Sequence, residues 1–250
     1  MKKYIVILMA LLCVIGLTAC QKQVKLGAPK DYPVSGEVRA LRMEINAADL
    51  KIEQADDFRV ESNLKQLTVS VQNGVLTVRQ KNKVGVNYTD GMLTLYVPEG
   101  TVFESVSIDT GAGRLMAEEL RAERLDLSLG AGAVEIGYLE TTKETDIEGG
   151  AGAIVISDGS ITDLELEMGV GGLDLTAALL GDSDLSLGVG ESKLTLLGNK
   201  DDYRVEIEKG LGNILVDGEI VSQYGSYGSG RNSVDIEGGV GEINLHRSGD

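Results

Sequence analysis

Tryptophan is absent from this chain, and histidine, cysteine and proline number only one, two and three among 250 residues. A zinc site needs several His or Cys ligands, so these counts argue against one. Basic residues are also scarce, with 23 Lys and Arg against 39 Asp and Glu and a net charge of −16. That balance argues against a nucleic-acid-binding protein, which needs a basic patch to neutralise phosphates. A hydrophobic fraction of 42% excludes a disordered acidic chain.

Both cysteines lie in an N-terminal segment with the pattern of a secretory signal peptide. A lysine pair precedes an uncharged apolar run over residues 4–16, and Leu17-Thr18-Ala19-Cys20 follows. This tetrapeptide resembles the lipobox of bacterial lipoproteins, which implies removal of residues 1–19 and diacylglycerol attachment to the Cys20 sulfur. The alternative is an ordinary signal peptide with a chance cysteine. We therefore predict an extracytoplasmic protein that is anchored to a bacterial membrane by acyl chains on Cys20.

An internal repeat organises the rest of the chain. A Gly-x-Gly unit occurs seven times, and its first glycines are 19, 20, 19, 19, 22 and 29 residues apart. The seven units are Gly111-Ala112-Gly113, Gly130-Ala131-Gly132, Gly150-Ala151-Gly152, Gly169-Val170-Gly171, Gly188-Val189-Gly190, Gly210-Leu211-Gly212 and Gly239-Val240-Gly241. Such a period is typical of architectures that stack one supersecondary unit on the next.

Apolar and polar residues alternate on both sides of each glycine pair. Leu125, Leu127 and Leu129 show the alternation before a pair, and Val134 and Ile136 show it after, shifted by one residue. Alternation with period two indicates a strand with one buried face. A corner at the glycines keeps both apolar sets inside despite the shift. The repeat therefore predicts an all-β, single-stranded β-solenoid with 19–20 residues per coil; an antiparallel sandwich is the alternative.

The remaining segments complete a division of the chain. We expect a tether over residues 20–36, a β region over 37–100 that caps or continues the solenoid, and the repeats over 101–246. In the β region, Asn73-Gly74 between two apolar-alternating runs predicts a type I′ hairpin. Gly and Ser residues over 218–233 predict a flexible inserted loop, and 247–250 form a tail.

The chain resembles a bacterial family of predicted adhesins, β-strand-repeat proteins of largely unknown function that are related to the adhesin-head GIN-domain proteins. The matching features are Leu95-Tyr96-Val97-Pro98, then Val106-Ser107-Ile108 leading into Gly111-Ala112-Gly113, and the repeated strands around each later Gly pair. The resemblance covers about residues 37–246. It implies a β-helix-like fold on an envelope-attached protein and brings no catalytic residues.

Acidic residues recur at fixed places before the glycine pairs and form the one constellation that could carry chemistry. Four residues before the first Gly, six of the seven copies have Asp or Glu. The pattern favours a hydrated outer face without a cofactor or metal. The alternative is a hard cation such as Ca²⁺, held by Asp126, Asp146, Glu165 and Asp184.

A non-catalytic role in binding, adhesion or envelope sensing fits these features best, with an envelope protein or glycan as the partner. Tyr224, Tyr227 and Arg231 are candidate contact residues, because Tyr and Arg are enriched at interface hot spots; a disordered insertion is the alternative. A β-helix enzyme that cleaves polysaccharides with outer carboxylates is the second functional class. The single histidine, His246, lacks any local nucleophile signature, so we expect it to be an exposed bystander.

Overall fold

A computed structural model describes residues 26–81, 90–221 and 224–249. Fourteen strands and one 3₁₀ turn at Lys200–Asp202 make up the described secondary structure. The strands are β1 (Lys30–Pro33), β2 (Ala40–Ala55), β3 (Arg59–Ser62), β4 (Leu67–Gln72), β5 (Val75–Gln80), β6 (Met92–Pro98), β7 (Ser105–Ile156), β8 (Gly159–Thr162), β9 (Leu164–Leu180), β10 (Asp182–Leu197), β11 (Tyr203–Val216), β12 (Glu219–Val221), β13 (Tyr224–Tyr227) and β14 (Asn232–Ser248).

The fold is a β-solenoid, as the repeat predicts. β7 runs for 52 residues through successive coils, and β7, β9 and β10 follow one another in parallel register. Residues of equal rank in each copy pair directly, so that Gly171 lies beside Gly152 on one side and Gly190 on the other. We call the strand before each glycine pair the first wall and the strand after it the second wall.

The core is built from columns of apolar side chains, one residue per coil. The column three residues before the glycine pair is almost fully buried along the whole stack: Met43, Ile108, Leu127, Ile147, Leu166, Leu185, Ile236 and Ile207. A single coil leaves such a column half solvated, whereas stacking covers it from both sides. Hydrophobic burial in the stack therefore explains why the period of the sequence is also the period of the structure.

The glycines form the corners, and the second of each pair is required. Its φ lies between +127° and +152° in all seven copies. A Cβ built on Gly171 would lie 1.6 Å from the carbonyl oxygen of Gly152 in the preceding coil. Positive φ and close backbone approach both favour glycine at these positions.

The N-terminal β region continues the solenoid and closes its first end. β2 pairs in register with β7, so that Ala47 lies beside Ala112 and forms an eighth corner without a glycine pair. Asn46 and Ala48 occupy the two glycine positions, because the clash at the other corners is with the preceding coil and no described strand continues the stack before β2 at the corner. Beyond β2, the β4–β5 hairpin covers the first wall, and β6, β3 and β1 cover the second. Asn73 and Gly74 both have positive φ, which confirms the predicted hairpin turn.

The order of the last coils differs from the order of the chain. β14 lies between β10 and β11 and pairs in parallel with both, so the seventh copy occupies the sixth place. The segment predicted to be a flexible loop over 218–233 contains β12 and β13, which fold back antiparallel onto β11. This return covers both walls of the last coil and brings the chain back to the slot beside β10. Gly218 precedes β12, and Gly228, Ser229 and Gly230 follow β13, whereas Gly225 and Ser226 lie within β13.

Candidate functional site

An exposed apolar ridge runs along the corner of the solenoid. It consists of the middle residue of each corner, in spatial order Ala47, Ala112, Ala131, Ala151, Val170, Val189, Val240 and Leu211. The flanking glycines face neighbouring backbone, so the middle residue is the one that points outward. This middle residue is Ala in the first coils, Val in the next ones and Leu at the far end, where Leu211 is 73% exposed.

The outer face of the first wall is strongly acidic. We call two of its columns the acidic wall, one residue per coil, four and two residues before the glycine pair. The column at four back contains Asp126, Asp146, Glu165, Asp184, Asp235 and Glu206, and the column at two back contains Asp109, Glu148, Glu167, Glu237 and Glu208. Neighbouring members pair directly, as Glu165 does with Asp146 and with Asp184. Directly opposed like charges disfavour a sheet, so this face carries unfavourable electrostatic energy.

The charge around Asp146 in the acidic wall is poorly compensated. Asp146 shows the effect: partial burial raises the pKa of its carboxyl, and the charges of Glu148, Asp126 and Glu144 raise it further. Arg124 lies 4.0 Å from Glu144 at the margin of the wall. Within the described part of the chain, no Lys or Arg forms an ion pair with any of the four residues considered for Ca²⁺, which are Asp126, Asp146, Glu165 and Asp184.

A groove of about 620 Å³ lies between the acidic wall and the corner glycines. We call it the corner groove. Glu148, Glu167 and Glu237 are among the residues along its acidic side, and Leu129, Met168 and Leu187 line it with the glycine backbones. Met168 fills space beside Gly149, where a Cβ would lie 2.6 Å from its sulfur. The groove thus offers apolar surface and backbone next to a row of carboxylates.

The four residues singled out for Ca²⁺ occupy one column on consecutive coils. Asp126, Asp146, Glu165 and Asp184 follow one another along the acidic wall. Among the described residues, no group of three or more acidic, His or Cys side chains is arranged to hold a metal ion. Strand spacing separates the backbones of neighbouring members by about 4.8 Å along the stack, so the four carboxyl groups form a row on the outer face.

The three candidate contact residues lie in or next to β13, the short strand that pairs with the last coil. Tyr227 is half-buried against the core, and its ring centroid lies 5.4 Å from the guanidinium carbon of Arg247. Tyr224 pairs through its backbone with Glu208 at the edge of the last coil. Arg231 is exposed in the turn before β14. Tyr227 therefore packs within the molecule, whereas the Arg231 side chain is exposed.

Two other predicted residues have clear positions. His246 is exposed on the second wall, and its Nδ1 lies 3.6 Å from Asp217 Oδ1. Cys20 lies outside the described residues, so its lipidation stays a prediction. Within those residues, no helix has the length and apolarity needed to cross a bilayer.

Sequence reasoning identified the acidic columns but missed the ridge and the groove. The signal for the ridge was present, because the middle residue is apolar in all seven Gly-x-Gly units. Its outward direction depends on how the backbone turns at the corner, which alternation of apolar and polar residues does not reveal.

Comparison with known proteins agrees with this architecture. A family model described as Toastrack DUF4097 matches residues 38–225. A solved structure described as a "putative adhesin", from Bacteroides fragilis NCTC 9343, is 14% identical with a TM-score of 0.51, covering 90% of this chain and 99% of that one. At 14% identity this likeness shows a shared fold.

Two further solved structures are similar over comparable lengths. One, described as a "putative cell adhesion protein", from Clostridium sporogenes ATCC 15579, is 16% identical with a TM-score of 0.37, covering 90% of this chain and 100% of that one. The other, described as a "putative lipid binding protein", from Parabacteroides distasonis ATCC 8503, is 12% identical with a TM-score of 0.45, covering 90% and 99%. No curated protein matches the chain.

Proposed function

We propose that this chain, which belongs to the Toastrack DUF4097 family, is a surface-displayed protein that binds a partner without catalysing a reaction on it. The observation that carries the proposal is the corner groove, where apolar side chains, open backbone and a row of carboxylates repeat from coil to coil. Binding along such a row is additive over several coils. A catalytic site instead requires a few groups that converge on one reacting bond.

The chemistry of the groove favours a cationic, amphipathic polypeptide segment. Lys or Arg side chains of such a segment would face Glu148, Glu167 and Glu237, and its apolar side chains would contact Met168 and the ridge. A cationic partner would also relieve the like-charge repulsion of the acidic wall, which strengthens binding at low salt. None of the lining residues is aromatic, which disfavours the stacking contacts that sugars use.

We also propose that the acyl chains on Cys20 hold the protein at a membrane. Five residues lie between Cys20 and Leu26, the first described residue, so the Cα atoms of these two residues can be at most about 20 Å apart. The first end of the solenoid would therefore stand close to the bilayer, with the ridge and the groove accessible along the side of the rod.

The binding proposal is tested by titrating the full chain, solubilised in mild detergent, with a fluorescent cationic amphipathic peptide. The variant with Glu148→Gln, Glu167→Gln and Glu237→Gln should bind about tenfold more weakly, since each exposed charge contributes up to about 1 kcal/mol. The matched control changes three exposed acids elsewhere and should bind like the parent: Asp57→Asn, Glu99→Gln and Glu219→Gln. Equal loss in both triple variants would show that net charge alone attracts the peptide, and would refute a groove site.

Two further measurements address anchoring and catalysis. Cys20→Ala should abolish incorporation of labelled palmitate and move the chain from the detergent phase to the aqueous phase on phase partitioning. An unchanged partition would contradict the lipid anchor. Incubation with envelope polysaccharides should release no sugar fragments, and release that depends on Asp146 or Glu165 would contradict a non-catalytic role.

A further inference from the structure

The β4 strand presents an unpaired edge with unusual composition. In the part of the chain that the structure describes, β4 pairs with β5 alone. Its six residues, Leu67-Thr68-Val69-Ser70-Val71-Gln72, contain no charge and no proline. Natural edge strands are commonly protected by charge, proline or short length. The other outer strands follow that rule, since β1 contains Lys30, Asp31 and Pro33, and β12 and β13 have three and four residues.

The hairpin geometry identifies which backbone groups point outward. Gln72 and Val75 flank the two-residue turn, and Lys81 N donates to Gln66 O at the other end of the hairpin. Residues 66, 68, 70 and 72 therefore direct their backbone groups towards β5. Leu67, Val69 and Val71 direct theirs away from it, and among the described residues none of these three has another backbone partner. The edge thus offers three donor–acceptor sets at alternate residues.

The edge is complementary to itself. When two copies of β4 run antiparallel with Val69 opposite Val69, Leu67 lies opposite Val71, and each of these pairs exchanges two hydrogen bonds. On the outer face, Thr68 of one copy lies opposite Ser70 of the other. Pairs of β-branched residues and hydroxyl pairs are favourable across strands, and no like charges face each other.

The charge distribution also favours approach at this end of the molecule. The acidic wall lies on later coils, whereas the outer face beside β4 carries Arg79 in an ion pair with Glu44. Lys65 is the nearest charged residue preceding β4, and it would lie beside the uncharged Asn73 of the second copy.

From these observations we propose that two copies of this chain form a two-fold dimer by antiparallel pairing of their β4 edges, with Val69 on the symmetry axis. The pairing joins the two first walls into one sheet. An isologous contact uses the edge completely, so assembly stops at two copies. The interface is small, so dissociation is fast and measurable. Salt strengthens the dimer, because it screens the repulsion between two acidic chains.

The test uses the full chain in detergent, with sedimentation velocity over a concentration series. Thr68→Lys with Ser70→Lys places Lys opposite Lys twice, and the dissociation constant of the dimer should rise about tenfold. Thr68→Lys with Ser70→Glu places Lys opposite Glu twice at the same two sites and should restore or tighten the dimer. Both variants alter only the outer face of β4, and equal melting temperatures show that the fold is intact.

Cysteine cross-linking tests the register. Paired Cα atoms about 4.5 Å apart allow a disulfide, so a mixture of Thr68→Cys and Ser70→Cys chains should cross-link on oxidation, whereas Thr68→Cys alone should not. A parent chain that is monomeric at every concentration would overturn the proposal. An equal dissociation constant for the Lys–Lys variant and the Lys–Glu variant would also overturn it, as would assembly beyond two copies. Peptide binding in the corner groove should be unaffected, so this result is independent of the proposed function.

Discussion

Substitution of one corner glycine should destabilise the solenoid far more than substitution of a glycine elsewhere. Gly171 has φ of +149°, and the Cβ of an alanine there would lie 1.6 Å from Gly152 O. An ordinary contact needs at least 3.4 Å, so the two coils must separate locally by about 1.8 Å, the difference between these distances. That separation breaks the hydrogen bonds that join the coils at this corner.

The magnitude follows from two contributions. Positive φ costs alanine about 1–3 kcal/mol, and two broken or unsatisfied backbone hydrogen bonds cost about 1–3 kcal/mol each. Together they give about 3–9 kcal/mol, a large share of the stability of a typical domain. For a chain of this length we expect the melting temperature of Gly171→Ala to fall by roughly 10–30 °C.

Two other alanine variants separate the causes. Gly100 has φ of +72° with no atom within 4 Å of the added Cβ, so Gly100→Ala should cost only about 1 kcal/mol. Gly172 has ordinary φ and its nearest atom is Glu191 O at 3.8 Å, so Gly172→Ala should be neutral within about 0.5 kcal/mol. Urea unfolding of the three variants, followed by circular dichroism, measures the series. If Gly171→Ala lost no more free energy of unfolding than Gly100→Ala, close coil contact would not be the reason for the glycine.

Three further substitutions test electrostatics and buried hydrogen bonds. Burial raises the pKa of Asp217, but hydrogen bonds from Arg247 outweigh this effect, so the net pKa is lowered. Asp217 therefore contributes stability at pH values above its unfolded-state pKa, and this stability is lost as the pH falls through the folded-state pKa. Asp217→Asn should therefore lower the melting temperature at pH 7 and leave it nearly unchanged in acid. Asp146 has a raised pKa, so its contribution is present in acid and lost as pH rises through the folded value; Asp146→Asn should raise stability at pH 7 by less than about 1 kcal/mol because the site is largely solvated. The opposite result for either Asp, in thermal melts across pH, would contradict its assigned environment. The Tyr203 hydroxyl donates to Leu197 O at 2.5 Å in a buried site, so Tyr203→Phe should cost about 1–2 kcal/mol in urea unfolding; no loss would show that water replaces the hydroxyl.

The sequence predicted the shape of one coil accurately, because each coil position has a single physical requirement. Alternating Leu127 and Leu129 need a buried face, and the glycines need a corner that turns close to its neighbour. The Asn73-Gly74 turn was likewise predictable, since only a few residues accept positive φ at both turn positions.

The order of the coils was not predictable from the same signals. Copies with identical corners and equivalent apolar columns can stack in any order, so periodicity alone does not place β14 beside β10. Specific contacts fix that order: Asn232 Oδ1 accepts from Gly181 N, and Ser248 Oγ donates to Leu196 O. Such contacts depend on single residues that break the repeat, so the periodicity of the sequence does not reveal them. The candidate site was predicted only in part for the same reason. The acidic columns follow the period of the sequence, whereas the depth of the corner groove does not.

The insertion of β14 between β10 and β11 also bears on how the rod could change length during evolution. A duplication or deletion of one whole copy between β7 and β10 would preserve every corner contact and both ends. The same event after β10 would disrupt the contacts among β10, β14 and β11. β14 comes last in the sequence but lies between the other two strands. Gene-level gain and loss of repeats should therefore concentrate in the middle of the chain. The far end, with its returning strands, would then act as a fixed terminus that moves away from the first end of the solenoid as copies are added.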